Sequence, residues 1–174
     1  DKSNVIWNQF NRLKAGITDG TMVVPNIIII AAGTNDAWYR SSMFGSIATA
    51  FSSSATIKDN AVNTVVDTCS SIRYLVELMR VEWPAAQIII CTPSQTYSSY
   101  YPQLKIVSGL IEDCSNLLGC DVVDCFKEAP FSYYSQTNYA DLKYDGTPPS
   151  ILGAKYFGKY MAAQLAAKIR PIIN

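Results

Sequence analysis

The sequence predicts an α/β fold: a three-layer α/β/α sandwich of flavodoxin-like type, with a parallel sheet between its helices. Two observations carry this. Residues 26–32 (NIIIIAA) and 87–92 (QIIICT) are short apolar runs of the kind found in strands buried on both faces. Around them lie longer segments whose apolar residues recur every three or four positions, as on helices with one buried face. Strands alternating with amphipathic helices build layered folds around parallel sheets.

Residues 4–15 read as a helix, with Ile6, Phe10 and Leu13 on one face and Ser3 at its cap. The strand 26–32 follows. Residues 37–56, rich in Ser, Ala and Gly, read as a long loop with a short helix. The strongest helical pattern covers 58–82, where Val62, Val65, Val66, Cys69, Ile72, Leu75, Val76 and Met79 share a face; Trp83-Pro84 ends it. The strand 87–92 leads into a loop over 93–103 carrying Tyr97, Tyr100 and Tyr101. A helix over 104–118 sets Val107, Leu110, Ile111, Cys114, Leu117 and Leu118 on one side, and Gly119 closes it. Residues 121–126 make a third, weaker strand, 129–148 a second aromatic loop, and 150–170 the last helix. No repeat or linker interrupts this order, so residues 1–174 read as one domain.

Composition narrows the function classes. Hydrophobic residues make up 49% and charged residues 16% of the chain, which suits a packed core. Lys plus Arg number 14, as do Asp plus Glu, so no basic field exists to hold nucleic acid or an anionic membrane. The run 27–32 is too short to span a bilayer. The chain opens on Asp1 and Lys2, with neither an initiator Met nor a signal-peptide pattern, which leaves room for sequence upstream. The cysteines, Cys69, Cys91, Cys114, Cys120 and Cys125, include no CxxC pair, so no metal is expected. Cys69, Cys91 and Cys114 read as small buried hydrophobes, while Cys114 and Cys120 could bridge across a turn. No cofactor is implied. Histidine is absent from the sequence.

Two motifs carry chemistry. Gly33-Thr34-Asn35-Asp36 follows the first strand directly, at the carboxyl end where open parallel sheets place ligands. Alone it reads as a turn. Downstream, Tyr144-Asp145-Gly146-Thr147-Pro148-Pro149-Ser150-Ile151-Leu152-Gly153 sets an Asp before a helix and a Gly in its first turn. Alone it reads as a helix start.

Together, in this order and context, the motifs resemble those of the SGNH/GDSL hydrolases, which carry G-x-N-D after a strand and D-x-x-H-P before the last helix. The match runs along essentially the whole chain, and Pro148 stands where the family has its histidine. The resemblance implies that Asn35 donates its amide to an oxyanion, that Asp145 is the carboxylate orienting the imidazole, and that Asp36 braces the loop. It also implies a first strand bearing the G-D-S serine, upstream of Asp1 and paired beside residues 26–32, and a glycine block before the first helix. Ser3 reads as a helix cap rather than as that serine.

Losing a triad serine or histidine lowers turnover by on the order of 10⁶. The expectation is therefore an ester hydrolase fold, of esterase or carbohydrate-deacetylase ancestry, that is catalytically silent in this chain. One alternative is a non-catalytic carbohydrate-binding or structural module. Another is an active esterase completed by an upstream segment or a second chain. The expected partners are an ester or sugar ligand and whatever segment completes the sheet. Gly33, Trp38, Tyr39, Tyr97 and Tyr144 are the candidate binding residues, within a wider aromatic set that includes Tyr100, Tyr101, Tyr133, Tyr134 and Tyr139. These rings fall after strand ends or before the last helix, and they suit a sugar face, a protein interface or ordinary loop packing.

Overall fold

The computed structural model describes residues 6–39, 42–96, 99–143 and 150–171. Its sheet has three strands, β1 (Ile27–Ala31), β2 (Gln87–Cys91) and β3 (Asp121–Val123), in the order β1-β2-β3 and all parallel. The register pairs Ile27 with Gln87 and Ala31 with Cys91, then Ile89 with Asp121 and Cys91 with Val123. The helices are α1 (Ile6–Thr18), α2 (Thr34–Tyr39), α3 (Ile47–Ala50), α4 (Thr68–Glu82), α5 (Tyr101–Leu117), α6 (Cys125–Glu128), α7 (Tyr133–Asn138) and α8 (Ile151–Lys168). They cover both faces, giving the flavodoxin-like α/β/α arrangement.

Side-chain alternation along the strands sends residues to opposite layers. Ile28, Ile30, Ile88 and Ile90 meet α1, α4 and α5 through Phe10, Leu75, Val76, Met79, Leu104, Val107 and Ile111. Ile89, Cys91 and Val123 meet α8 on the other face, through half-buried Phe157, Tyr160, Met161 and Leu165.

Several expectations change on the structure. The first strand is not buried on both faces: Ile29 is 47% exposed, because α8 packs on β2 and β3 and leaves β1 uncovered there. The helix expected over 58–82 begins only at Thr68. Asp67 caps it, its carboxylate accepting from the Ser70 N–H at 2.9 Å, and Val62–Thr64 form a 3-10 turn with Val62 and Val66 exposed.

The segment before that cap is held as a loop across α4 by two side chains. Glu77 Oε2 accepts from the N–H groups of Ile57 (2.6 Å) and Lys58 (3.0 Å). Arg73 donates to the carbonyls of Ala50, Ser53 and Ala55. The third strand stops at Val123, because Asp124 turns to cap α6 and accepts from the Lys127 N–H at 3.1 Å.

The short helix expected within the loop 37–56 is α3, whereas the expected loops over 93–103 and 129–148 contain the start of α5 and α7 respectively. The bridge between Cys114 and Cys120 is not formed. All five cysteines are free thiols, and Cys114 instead lies against Cys69, donating to its carbonyl at 3.9 Å. Gly119 does close α5, with φ +65°.

Candidate functional site at the carboxyl end of the sheet

The site begins with the turn that leaves β1. Gly33 has φ +106°, and a Cβ there would sit 2.6 Å from Ile111 Cδ1, 2.9 Å from Val107 Cγ1 and 3.0 Å from Pro93 Cγ. Both the backbone conformation and the space demand glycine. Its carbonyl accepts from the Ala37 N–H at 3.0 Å, so α2 starts at once. That places Asn35 in the first turn of α2 with its side chain exposed, while Asp36 turns inward and accepts from Thr68 Oγ1 at 3.0 Å. Asp36 thus ties α2 to the start of α4.

The aromatic rim continues from α2. Half-buried Trp38 packs against Tyr100 (ring centroids 5.7 Å apart) and Tyr39 (6.3 Å). Its Nε1, like Gln103 Oε1 on α5, is buried with no hydrogen-bond partner among the described residues. Tyr39 is 78% exposed. Tyr101 lies 4.8 Å from Tyr133 and stacks on Phe126 at 5.8 Å. Tyr134 and Tyr139 remain in solvent. The aromatic set is therefore split between rings packed on each other and rings free at the surface.

Residues absent from the sequence reading knit the ends of β2 and β3. Thr92 Oγ1 donates to Asp124 Oδ1 at 3.0 Å and accepts from the Phe126 N–H at 3.0 Å. The Asp124 carboxylate also lies 3.1 Å from Lys127 Nζ. Hydrogen bonds to Glu112 and Asp124 hold the Lys127 ammonium above the usual lysine range. Gln95 Nε2 donates to the Phe126 carbonyl (2.9 Å), its Oε1 accepts from the Tyr133 N–H (2.8 Å), and its own carbonyl accepts from fully buried Gln136 (2.5 Å). The one signal available for these residues was their place directly after strand ends, with no motif to single them out.

The third wall leads into α8. The Ser150 N–H donates to the Lys143 carbonyl at 2.7 Å, and Ser150 Oγ caps the helix by accepting from the Gly153 N–H at 2.9 Å. A Cβ on Gly153 would meet the Lys143 carbonyl oxygen at 2.7 Å, so glycine is required at this close crossing. The motif's flanks are pinned together here. Asp145, Tyr144, Pro148 and Tyr97 lie outside the described residues. Of the candidate residues, the structure brings Gly33, Asn35, Trp38 and Tyr39 to one strand end.

A cavity of about 380 Å³ opens at the opposite, amino end of the strands, lined by Arg80, Gln87, Gly119, Asp121 and Arg170 among others. Its charges are already engaged. Arg80 donates to the Leu118 carbonyl, and Arg170 pairs with Asp121 at 2.7 Å. It is no part of the strand-end site.

No family model matches this chain, and no curated protein matches it. Two solved structures are similar. One is described as a possible lipase from Chitinophaga pinensis DSM 2588; the likeness has a TM-score of 0.58 at 18% identity and covers 88% of this chain and 77% of that one. The other, whose description gives no activity, has a TM-score of 0.61 at 14% identity and covers 88% of this chain and 70% of that one. At such identities the likeness is one of fold: this chain shares its layered α/β architecture with a possible lipase.

Proposed function

We propose that this chain carries the strand-end portion of an SGNH/GDSL-type ester hydrolase site and, by itself, holds an acyl ligand without turning it over. The observation that carries the reading is the placement of Asn35. Gly33 forces a turn at the end of β1, Asp36 is consumed in bracing α4, and the Asn35 side chain is left exposed at the carboxyl edge. An amide donor at that edge is where stabilisation of an oxyanion would draw on it. The fold shared with a possible lipase supports the reading.

The proton relay is what this chain lacks. No imidazole is present in the sequence, and Pro148, in the histidine's place, has a ring nitrogen that neither accepts nor donates a proton. The ligand class is an ester or a sugar ester, presented to Asn35 beside the Trp38 and Tyr39 rings.

The test is hydrolysis of p-nitrophenyl acetate by the chain beside Asn35→Ala and Pro148→His. All three are expected to stay at the protein blank. Turnover well above blank that Asn35→Ala abolishes overturns the silent reading, because it reveals a nucleophile and base other than a serine–histidine pair.

A further inference from the structure

We propose that Cys69 and Cys114 are a disulfide site, where a bond between the two side chains staples α4 to α5 behind the Gly33–Asp36 turn. The inference rests on packing and thiol chemistry and is independent of the ester reading.

The first observation is how the thiols are sorted. Cys69 lies in the first turn of α4 and Cys114 near the end of α5. Both are fully buried, and they share one small apolar cluster with Ala50. Cys114 Sγ lies 3.9 Å from the Cys69 carbonyl oxygen and within hydrogen-bond reach of the Cys69 thiol. Side chains whose sulfurs touch hold their backbones close to the spacing that a disulfide spans. The other cysteines do not compete for this pair. Cys120 packs against the main core cluster and not against this one. Cys91 and Cys125 touch on the opposite face of the sheet, where Cys125 Sγ is turned onto Met161 Sδ at 3.5 Å.

The second observation is what the pair stands beside. Thr68, the residue before Cys69, donates to Asp36 at 3.0 Å. Ile111, almost one turn before Cys114, presses on Gly33, where a Cβ would meet it at 2.6 Å. The two cysteines thus flank both contacts that hold the turn presenting Asn35. They are 45 positions apart, so a bond between them closes a long loop and restricts the unfolded chain strongly.

The chemistry starts at Cys69. The amino end of a helix favours a thiolate. The hydrogen bond with Cys114 also holds the Cys69 thiol below its ordinary 9.0, outweighing burial and the charges of Asp67 and Asp113. The same bond pushes the Cys114 thiol up, so Cys69 ionises first. The oxidant is a small disulfide such as oxidised glutathione. Cys69 gives its proton to water, and its thiolate attacks one glutathione sulfur, breaking that S–S bond and releasing one glutathione thiolate. Cys114 then loses its proton and attacks the mixed disulfide at Cys69 Sγ, which forms the bond and releases the second glutathione. The two cysteines give up two electrons and two protons, and one oxidised glutathione becomes two reduced ones. Because both thiols are buried in the folded chain, the exchange runs during folding, before α4 and α5 close on each other. Such a bond persists where the medium is oxidising.

The test refolds the reduced chain in a buffer of oxidised and reduced glutathione, beside a sample kept in dithiothreitol. Free thiols are then alkylated and peptides mapped without reduction, with fragmentation locating the linked sulfurs. Cys69 should be recovered joined to Cys114. The link should persist in Cys120→Ala and disappear in Cys114→Ala. The oxidised wild type should melt roughly 10 °C above the reduced one, and Cys114→Ala should show no such difference. A map in which Cys69 stays alkylated as a free thiol overturns the proposal, as does Cys114 joined to Cys120. A Cys69–Cys114 bond that lowers the melting temperature also overturns it, because the bond would then strain the packing of α4 on α5. If Cys114→Ala does not fold, the map and the two melting temperatures of the wild type decide alone.

Discussion

Strand β2 serves the two faces of the sheet equally: Ile88 and Ile90 on one side and Ile89 and Cys91 on the other are all buried. Strand β1 does not. Its Ile28 is buried under α1, α4 and α5, while neighbouring Ile29 is exposed on the other face, where α8 covers β2 and β3 but not this part of β1. The chemistry of the two isoleucines is the same, so the difference comes from what lies above them. The first face is closed by helices that present continuous apolar stripes: Leu75, Val76 and Met79 from α4, Leu104, Val107 and Ile111 from α5. α8 presents none. Of its residues only Gly153 is fully buried, and Ile151, Leu152 and Tyr156 face water. Burial in this molecule follows helix coverage, and stability should be concentrated on the first face.

The largest expected effect breaks that face from outside. Buried Arg73 pairs with Glu77 at 2.7 Å, lies over the Phe51 ring at 5.1 Å, and satisfies three carbonyls of the segment before α4. Arg73→Ala strands those carbonyls and leaves the Glu77 carboxylate without its cation. Removing one partner of a buried pair costs about 3–5 kcal/mol. Urea unfolding should show a loss of that size; a loss near zero would mean that the clasp is solvated and the face does not depend on it.

A matched pair of leucines sharpens the comparison. Leu104 on α5 is completely buried on the first face, and Leu165 on α8 is partly buried on the second. Leu104→Ala is expected to cost about 2–5 kcal/mol through lost burial and the cavity left behind. Leu165→Ala removes less buried area and leaves a site open to water, so roughly 1 kcal/mol is expected. Equal losses in the two variants, measured by denaturant unfolding, would show that α8 closes its face as fully as the other helices do.

The same contrast explains what could be read in advance. Apolar runs at 26–32 and 87–92 located two strands within a residue or so at each end, because an unbroken β-branched run favours a strand even in β1, where one face stays open at Ile29. The periodicity of 58–82 misled at its start. Val62, Val65 and Val66 fall in helical phase by spacing, but Asp67 ends the pattern by capping, and Arg73 and Glu77 capture the backbone before it. Those bonds connect residues about twenty positions apart, a distance that no local window sees. At the candidate site, the special backbone at Gly33 was legible because a glycine directly after a strand announces a turn. The Thr92–Asp124 and Gln95–Gln136 ties were not, since common polar residues acquire meaning only when strand ends meet.

The smallest expected effect lies where α8 is fastened at its far end. Gln87 Nε2 donates to Asp121 Oδ2 (2.8 Å) and to the Lys168 carbonyl (2.7 Å), the Arg170 N–H donates to Gln87 Oε1 (3.0 Å), and the Arg170 guanidinium meets Asp121 at 2.7 Å. Partial burial pushes the Asp121 carboxyl up, but the hydrogen bonds from Gln87 and Arg170, with the charges of Arg170 and Lys168, outweigh it and hold the pKa below the ordinary 3.8. A folded-state pKa below the unfolded one means that the tie contributes in full above pH 3.8 and is lost as the pH falls through the folded value. Arg170 is largely exposed, so the contribution should stay within about 1 kcal/mol, the range of solvent-exposed pairs. Asp121→Asn removes the titration. Between pH 5 and the folded value, the wild type should lose stability on acidification more steeply than the variant, by that small margin. The Ile169 amide, which donates to Leu165 at 2.9 Å, should exchange faster as the tie protonates. Identical acid slopes in the two proteins, with Ile169 exchange unchanged, would show that the end of α8 is held by packing on β3 rather than by Asp121.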